Sequence, residues 1–264
     1  MDFGKDFRKY ALSEGISSMN MQYFENSMTP YILEEREMRV TQMDIFSRLM
    51  RDRILWVAGQ VNTNMSTVVQ AQLMYLDSVE TKDIKMHVDS PGGSVLAGLG
   101  MVDVMRYINS DVETINTGMA ASMGSILLSS GTKGKRSSLN FSKVMIHQVS
   151  SGAQGHVEDN RISQMESEKY NYILFKMLAE NSGRPFDEVL ESARRDNWLN
   201  SQEALDFGFI DEIILTDKTS SITTLMDGFE DYYTKEILQI PGSPGKTTPS
   251  VTTKVTPTKR TPKK

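Results

Sequence analysis

Cysteine is absent from all 264 residues. That excludes a thiol nucleophile, a cysteine-ligated zinc or iron–sulfur centre, and a disulfide framework. Histidine is scarce: His87, His147 and His156 are the full set, so a multi-histidine metal site would consume nearly all of it. No apolar run approaches the roughly 18 residues that cross a bilayer. The charged start, Met1 to Asp6, has no apolar stretch like that of a secretory signal. No G-x-x-x-x-G-K-[ST] loop occurs, so the chain has no nucleotide cradle of that kind. Proline is rare in the body, since five of its eight copies lie after residue 240. What is present, 39% hydrophobic and 24% charged residues, is the composition of a soluble globular protein with one large or two small domains.

The net charge of −5 is unevenly spread. Residues 241–264 hold six basic residues (Lys246, Lys254, Lys259, Arg260, Lys263, Lys264) and no acidic one, which leaves −11 on the first 240. An acidic body argues against nucleic-acid binding as the main task. The Pro-, Thr- and Lys-rich tail reads as disordered, with contact to an anionic partner as the alternative. Residues 1–27 read as an N-terminal extension or pro-segment, and 219–240 as a C-terminal extension.

Between these ends the pattern alternates. Met65, Val68, Val69, Leu73 and Leu76 share a helical face, Ile84–Val88 alternates as a strand does, and Val95, Leu99, Val102, Met105 and Ile108 share a second helical face. A strand near 111–116, strands near 135–139 and 143–147, and a long helix over about 157–181 ended by Ser182-Gly183 follow. Asn200 with Glu203 reads as a capping pair, Gly208 as a helix stop, and Ile210–Ile214 as the last strand. This order predicts an α/β domain with parallel strands joined by right-handed crossovers.

Four places carry residue types that suit chemistry. Gly118-Met119-Ala120-Ala121-Ser122-Met123-Gly124 lies between a strand and a helix. There Ser122 gains from the unpaired amides and dipole of a helix start, and the N–H of Met123 can face an oxyanion. A small-residue helix packed closely on a sheet is the other reading. His147 ends the apolar run Val144-Met145-Ile146, which suits a general base or a structural imidazole. Asp196 fits the orienting role of a serine triad or an ordinary surface carboxylate beside arginines. Ser90-Pro91-Gly92-Gly93 can present backbone donors to an oxyanion or peptide, or be a plain tight turn.

Together these pieces resemble the ClpP family, the proteolytic subunits of ATP-dependent Clp proteases. The resemblance rests on Asp89-Ser90-Pro91-Gly92-Gly93-Ser94, Gly118–Gly124, Gly131-x-Lys133-Gly134-Lys135-Arg136, Val144–Gln148 and Arg195-Asp196-Asn197-Trp198-Leu199. It spans about Met28 to Ile214, with Ser122, His147 and Asp196 in order at gaps of 25 and 49 residues. It implies an α/β, ClpP/crotonase-like fold of repeated β-β-α units with a protruding handle helix, over residues 28–218, with 28–42 as an axial N-terminal segment. It also implies a serine endopeptidase that cleaves unfolded polypeptides inside a ring chamber, in ATP-dependent proteolysis and protein quality control. Ser122 is then the nucleophile, His147 the base and acid, and Asp196 the orienting carboxylate, with the backbone N–H groups of Gly93 and Met123 as the oxyanion hole. No metal or cofactor acts in this chain, because ATP is used by a hexameric AAA+ unfoldase partner. Two stacked seven-membered homomeric rings, joined through the 157–181 helix, and a cytoplasmic location without membrane or nucleic-acid partners complete the expectation.

The sequence departs from that family in three places. Val149 stands where proline usually follows the His-Gln pair, Lys85 and His87 stand where tyrosines help form the unfoldase pocket, and Arg194 stands where an acidic residue is common. The alternatives are a catalytically silent ring scaffold or regulator and a crotonase-type acyl-CoA enzyme. Self-cleavage near Met28 is a further expectation.

Overall fold

The computed structural model describes residues 31–36, 39–152, 155–215 and 220–234. The N-terminal extension and the basic tail therefore lie outside the described residues. Where the sequence resemblance implied an axial segment, the backbone makes a hairpin of β1 (Tyr31–Arg36) and β2 (Arg39–Asp44), paired antiparallel from Tyr31↔Asp44 to Arg36↔Arg39. Asp44 then caps α1 (Ile45–Arg51), its carboxylate accepting from the Ser47 N–H.

The body is a seven-stranded sheet. β3 (Ile54–Ala58), which the sequence reading did not name, is followed by α2 (Thr63–Val79), β4 (Ile84–Ser90), α3 (Val95–Tyr107), β5 (Val112–Ala121), α4 (Met123–Ser129) and β6 (Arg136–Leu139), which alternate as expected. β3, β4, β5 and β6 lie side by side in parallel, and β9 (Glu212–Ile214) joins the β6 edge. Alternation in β4 shows which side is dry: Ile84, Met86 and Val88 are buried, while Lys85 and Asp89 are exposed and His87 is half-buried. Leu73 from α2, Met101 from α3 and Leu127 from α4 are fully buried in the same core as the dry side of β4.

Three sequence expectations need correction. The strand expected to stop near 116 runs on to Ala121, because Met119–Ala121 find a second partner. β5 is shared: Thr114–Asn116 pair with β6, and Met119–Ala121 pair with β7 (Lys143–Ile146). The sheet is also mixed, since β8 (Asn197–Asn200) runs antiparallel to β7. β8 falls where the sequence suggested only the Asn200 cap. The last strand begins at Glu212, because Phe209 and Ile210 are buried as core side chains before it.

The long helix, α5 (Val157–Ser182), ends on Gly183 with φ +75°. Its core contacts begin at Leu174 and Phe175, whereas residues 157–173 are exposed or half-exposed. α6 (Phe186–Ser192) follows, with α7 (Ser201–Phe207) after β8. The expected Asn200–Glu203 capping box opens α7. Among the described residues, those from Thr223 on fall in a second unit; α8 (Ile222–Leu225) begins at its boundary and α9 (Phe229–Tyr232) lies within it.

Candidate active site

Ser122 sits where β5 becomes α4, with φ 54° and ψ −120°. A non-glycine residue there is strained, and the surroundings hold it. Its N–H donates to the Met145 carbonyl at 2.9 Å, extending the β5–β7 pairing by one step. Its carbonyl accepts from the Ser125 N–H at 3.0 Å and the Ser125 hydroxyl at 2.7 Å. Small neighbours make room: a Cβ on Gly124 would lie 2.8 Å from the Ser90 carbonyl oxygen.

His147 is the first residue past β7. The antiparallel register of β7 with β8 runs Lys143↔Asn200 to Ile146↔Asn197. One step further sets His147 opposite Asp196, so β-sheet register delivers a residue 49 positions away in the chain. His147 Nε2 lies 2.8 Å from Ser122 Oγ. Nδ1 lies 3.4 Å from Asp196 Oδ1, a looser contact, and the Asp196 side chain is 65% exposed against 22% for His147. The structure thus brings all three predicted side chains into one chain of contacts.

The Ser90-Pro91-Gly92-Gly93 turn forms the opposite wall. Ser90 Oγ donates to the Gly59 carbonyl at 2.6 Å and accepts from the Gly92 N–H at 3.1 Å. Val61 brackets the turn, its N–H donating to the Gly92 carbonyl and its carbonyl accepting from the Ser94 N–H. Gly92 (φ +89°) presses against the serine: a Cβ there would lie 2.6 Å from Ser122 Cβ. Neither the Gly93 nor the Met123 N–H has an acceptor among the described residues. A cavity of about 220 Å³ opens here, lined by Gly93, Ser122, His147 and the apolar Ile126, Leu174 and Phe175.

His87 lies elsewhere, stacked on Trp56 at 4.7 Å on the wet face of the sheet. Burial pushes its imidazole below the usual range, and Lys85 adds to that. His156 precedes α5 and is exposed. Among the described residues no cluster of three His, Asp or Glu side chains could hold a metal ion, and no helix is long and apolar enough to cross a membrane.

A sheet-to-helix serine, an imidazole in contact with it and two unused amides in one apolar cleft define a serine hydrolase. Residues 35–217 match the family model described as Clp protease. Curated relatives called ATP-dependent Clp protease proteolytic subunit align across nearly their whole length. Those of Bacteroides fragilis (strain YCH46) and Bacteroides thetaiotaomicron are 50% and 49% identical over 80% of this chain and 98% of their own. That of Porphyromonas gingivalis is 45% identical over 79% of this chain and 97% of its own. The chain belongs to the Clp protease family, and it is a serine-type endopeptidase subunit of that kind.

The sequence singled out Ser122, His147 and Asp196, which the structure brings together, but not β8, the strand that carries Asp196 to His147. Its signal was only the short pair Trp198-Leu199 ahead of the Asn200 cap.

Proposed function

We propose that Ser122, His147 and Asp196 are the catalytic triad of this peptidase, acting on unfolded polypeptides inside a closed ring chamber. The observation that carries it is the 2.8 Å contact of His147 Nε2 with the strained Ser122 Oγ. Ser122 Oγ attacks a peptide carbonyl while His147 takes its proton. The Gly93 and Met123 N–H groups stabilise the resulting oxyanion. His147 then protonates the leaving amine, giving an acyl-enzyme and the first product. Water, deprotonated by His147, attacks the ester; Ser122 regains its proton and the second product leaves with a carboxylate. Asp196 orients the ring and steadies its charged form, closing up from the 3.4 Å contact as substrate binds.

These groups complete the reaction without a metal or organic cofactor, and ATP is consumed by a hexameric AAA+ partner that unfolds and feeds substrates. The subunits form two stacked seven-membered rings in the cytoplasm, the exposed part of α5 joining ring to ring. Val157, Ile162 and Met165, each more than half exposed in the single chain, supply apolar surface for that contact. The test is labelling of size-fractionated wild-type and Ser122→Ala protein with a fluorophosphonate probe. Ser122-dependent labelling in a ring-sized fraction supports the reading, whereas rings that never label sink it.

A further inference from the structure

Residues 147–152 leave β7 and belong to no helix or strand. Among the described residues their backbone makes a single hydrogen bond: the Val149 N–H donates to Asn171 Oδ1 at 2.9 Å. Val149 is half-buried against the core, where an N–H needs a partner. Asn171 lies three and four positions before Leu174 and Phe175 on α5. It therefore shares the face by which the helix is anchored. Both Val149 and Asn171 line the cavity that holds Ser122 and His147.

His147 is thus pinned from two sides. Before it, the β7 ladder runs to Ile146; after it, the fixed point is Val149, held by a side chain of another element. We propose that Asn171 is a positioning residue for the peptidase reaction: by holding the Val149 amide it sets the path of the chain that leaves His147 and the wall of the cleft beside Ser122. It touches no reacting atom and acts through the 147–152 segment. The inference rests on the roles given above to Ser122 and His147.

The experiment compares wild type, Asn171→Leu, which keeps the side chain's bulk and loses the acceptor, and Asn171→Asp, which keeps the acceptor. Two readouts are taken on assembled protein: the rate of fluorophosphonate labelling at Ser122, and residue-resolved amide exchange at Val149. Asn171→Leu is expected to label about tenfold slower, since small misplacements of a catalytic group are costly. Its Val149 amide should exchange at least about tenfold faster, and Asn171→Asp should restore both to within about threefold of wild type. Wild-type labelling and unchanged Val149 exchange in the Leu variant overturn the proposal. So does failure of the Asp variant to restore labelling while it restores exchange. Should the Leu variant not assemble, wild type alone decides, because a Val149 amide exchanging as fast as Ser150 and Ser151 refutes the hold. An absence of Ser122-dependent labelling in wild type sinks the triad reading, and the exchange comparison still decides whether Asn171 holds the segment.

Discussion

Gly92→Ala tests whether the turn facing Ser122 is built to the width of a missing methyl group. Two costs are separable. The first is backbone strain: φ at Gly92 is +89°, a region that costs an L-residue about 1–2 kcal/mol. The second is collision, because the new Cβ would stand 2.6 Å from Ser122 Cβ and 2.8 Å from the Met123 nitrogen. Ordinary contact begins near 3.4 Å, so Ser122 or the turn must yield by about 0.8 Å. Displacements near 1 Å in a catalytic site cost about a hundredfold in rate, or about 2.7 kcal/mol. Gly134→Ala isolates the strain, since its φ is +87° and nothing lies within 4 Å of the new Cβ. Gly134→Ala should therefore lose about 1–2 kcal/mol in urea unfolding, and Gly92→Ala more, because the collision adds to the strain. Only Gly92→Ala should also label with a fluorophosphonate about a hundredfold more slowly. Equal labelling of the two variants would refute the claim that contact with Ser122, rather than turn strain, requires glycine at 92.

The Arg136 guanidinium, 3% exposed, makes paired hydrogen bonds to Asp211 at 2.9 and 2.7 Å and also donates to the Asn181 carbonyl. Arg136→Leu should cost about 2–4 kcal/mol by leaving these acceptors stranded, as read by denaturant titration; a loss under about 1 kcal/mol counts against this account. Burial pushes the Asp211 carboxyl up, but hydrogen bonds from Arg136 and from the Gly134 N–H outweigh it and hold the group below its ordinary value. A depressed carboxyl stabilises the fold above its unfolded pKa of about 3.9, and that stability drains away as pH falls through the folded value; Asp211→Asn should remove this acid-side slope. At His87 burial favours the neutral ring, so the unfolded chain binds the extra proton first and stability falls as pH drops below about 6.5. Urea melts at pH 7.5 and 5.5 should show that loss in wild type and a smaller one in His87→Gln. Phe209→Ala, at a fully buried ring stacked on Phe207, should cost about 3–5 kcal/mol, whereas Phe141→Ala at a 60% exposed site should stay within about 0.5 kcal/mol in the same assay.

What the sequence revealed, and what it hid, divides along the range of the forces involved. The α2 and α3 helices were legible because their apolar spacing is local, as is the Gly183 stop of α5, and burial of Leu73, Leu76, Val102 and Met105 follows that spacing. The capping box at Asn200 and Glu203 was legible for the same reason. The end of β5 was not: Gly118, Met119 and Ala120 have weak strand preference, and their extended form is supported by pairing of Met119 and Ala120 with Lys143 and Val144 on one side and of Ala120 with Ser90 on the other. β8 was hidden in the same way, since four residues gain their strand character from β7. The site inherits this division. Ser122, His147 and Asp196 could be chosen by residue type and family spacing, but the proximity of His147 to Asp196 is a product of β7–β8 register. A one-residue slip of β8 would turn Asp196 to the other face of the sheet and set Arg195 or Asn197 opposite His147. The hold of Asn171 on Val149 is harder still to read, because an asparagine on a helix declares no partner until the fold sets one beside it. Site geometry here is therefore specified by the pairing of β8, which is hard to read from sequence alone, with β7, which is not. The buried apolar residues that fix that pairing, Val144 and Ile146 on β7 and Leu199 on β8, bear on the proposed triad as directly as the residues within it.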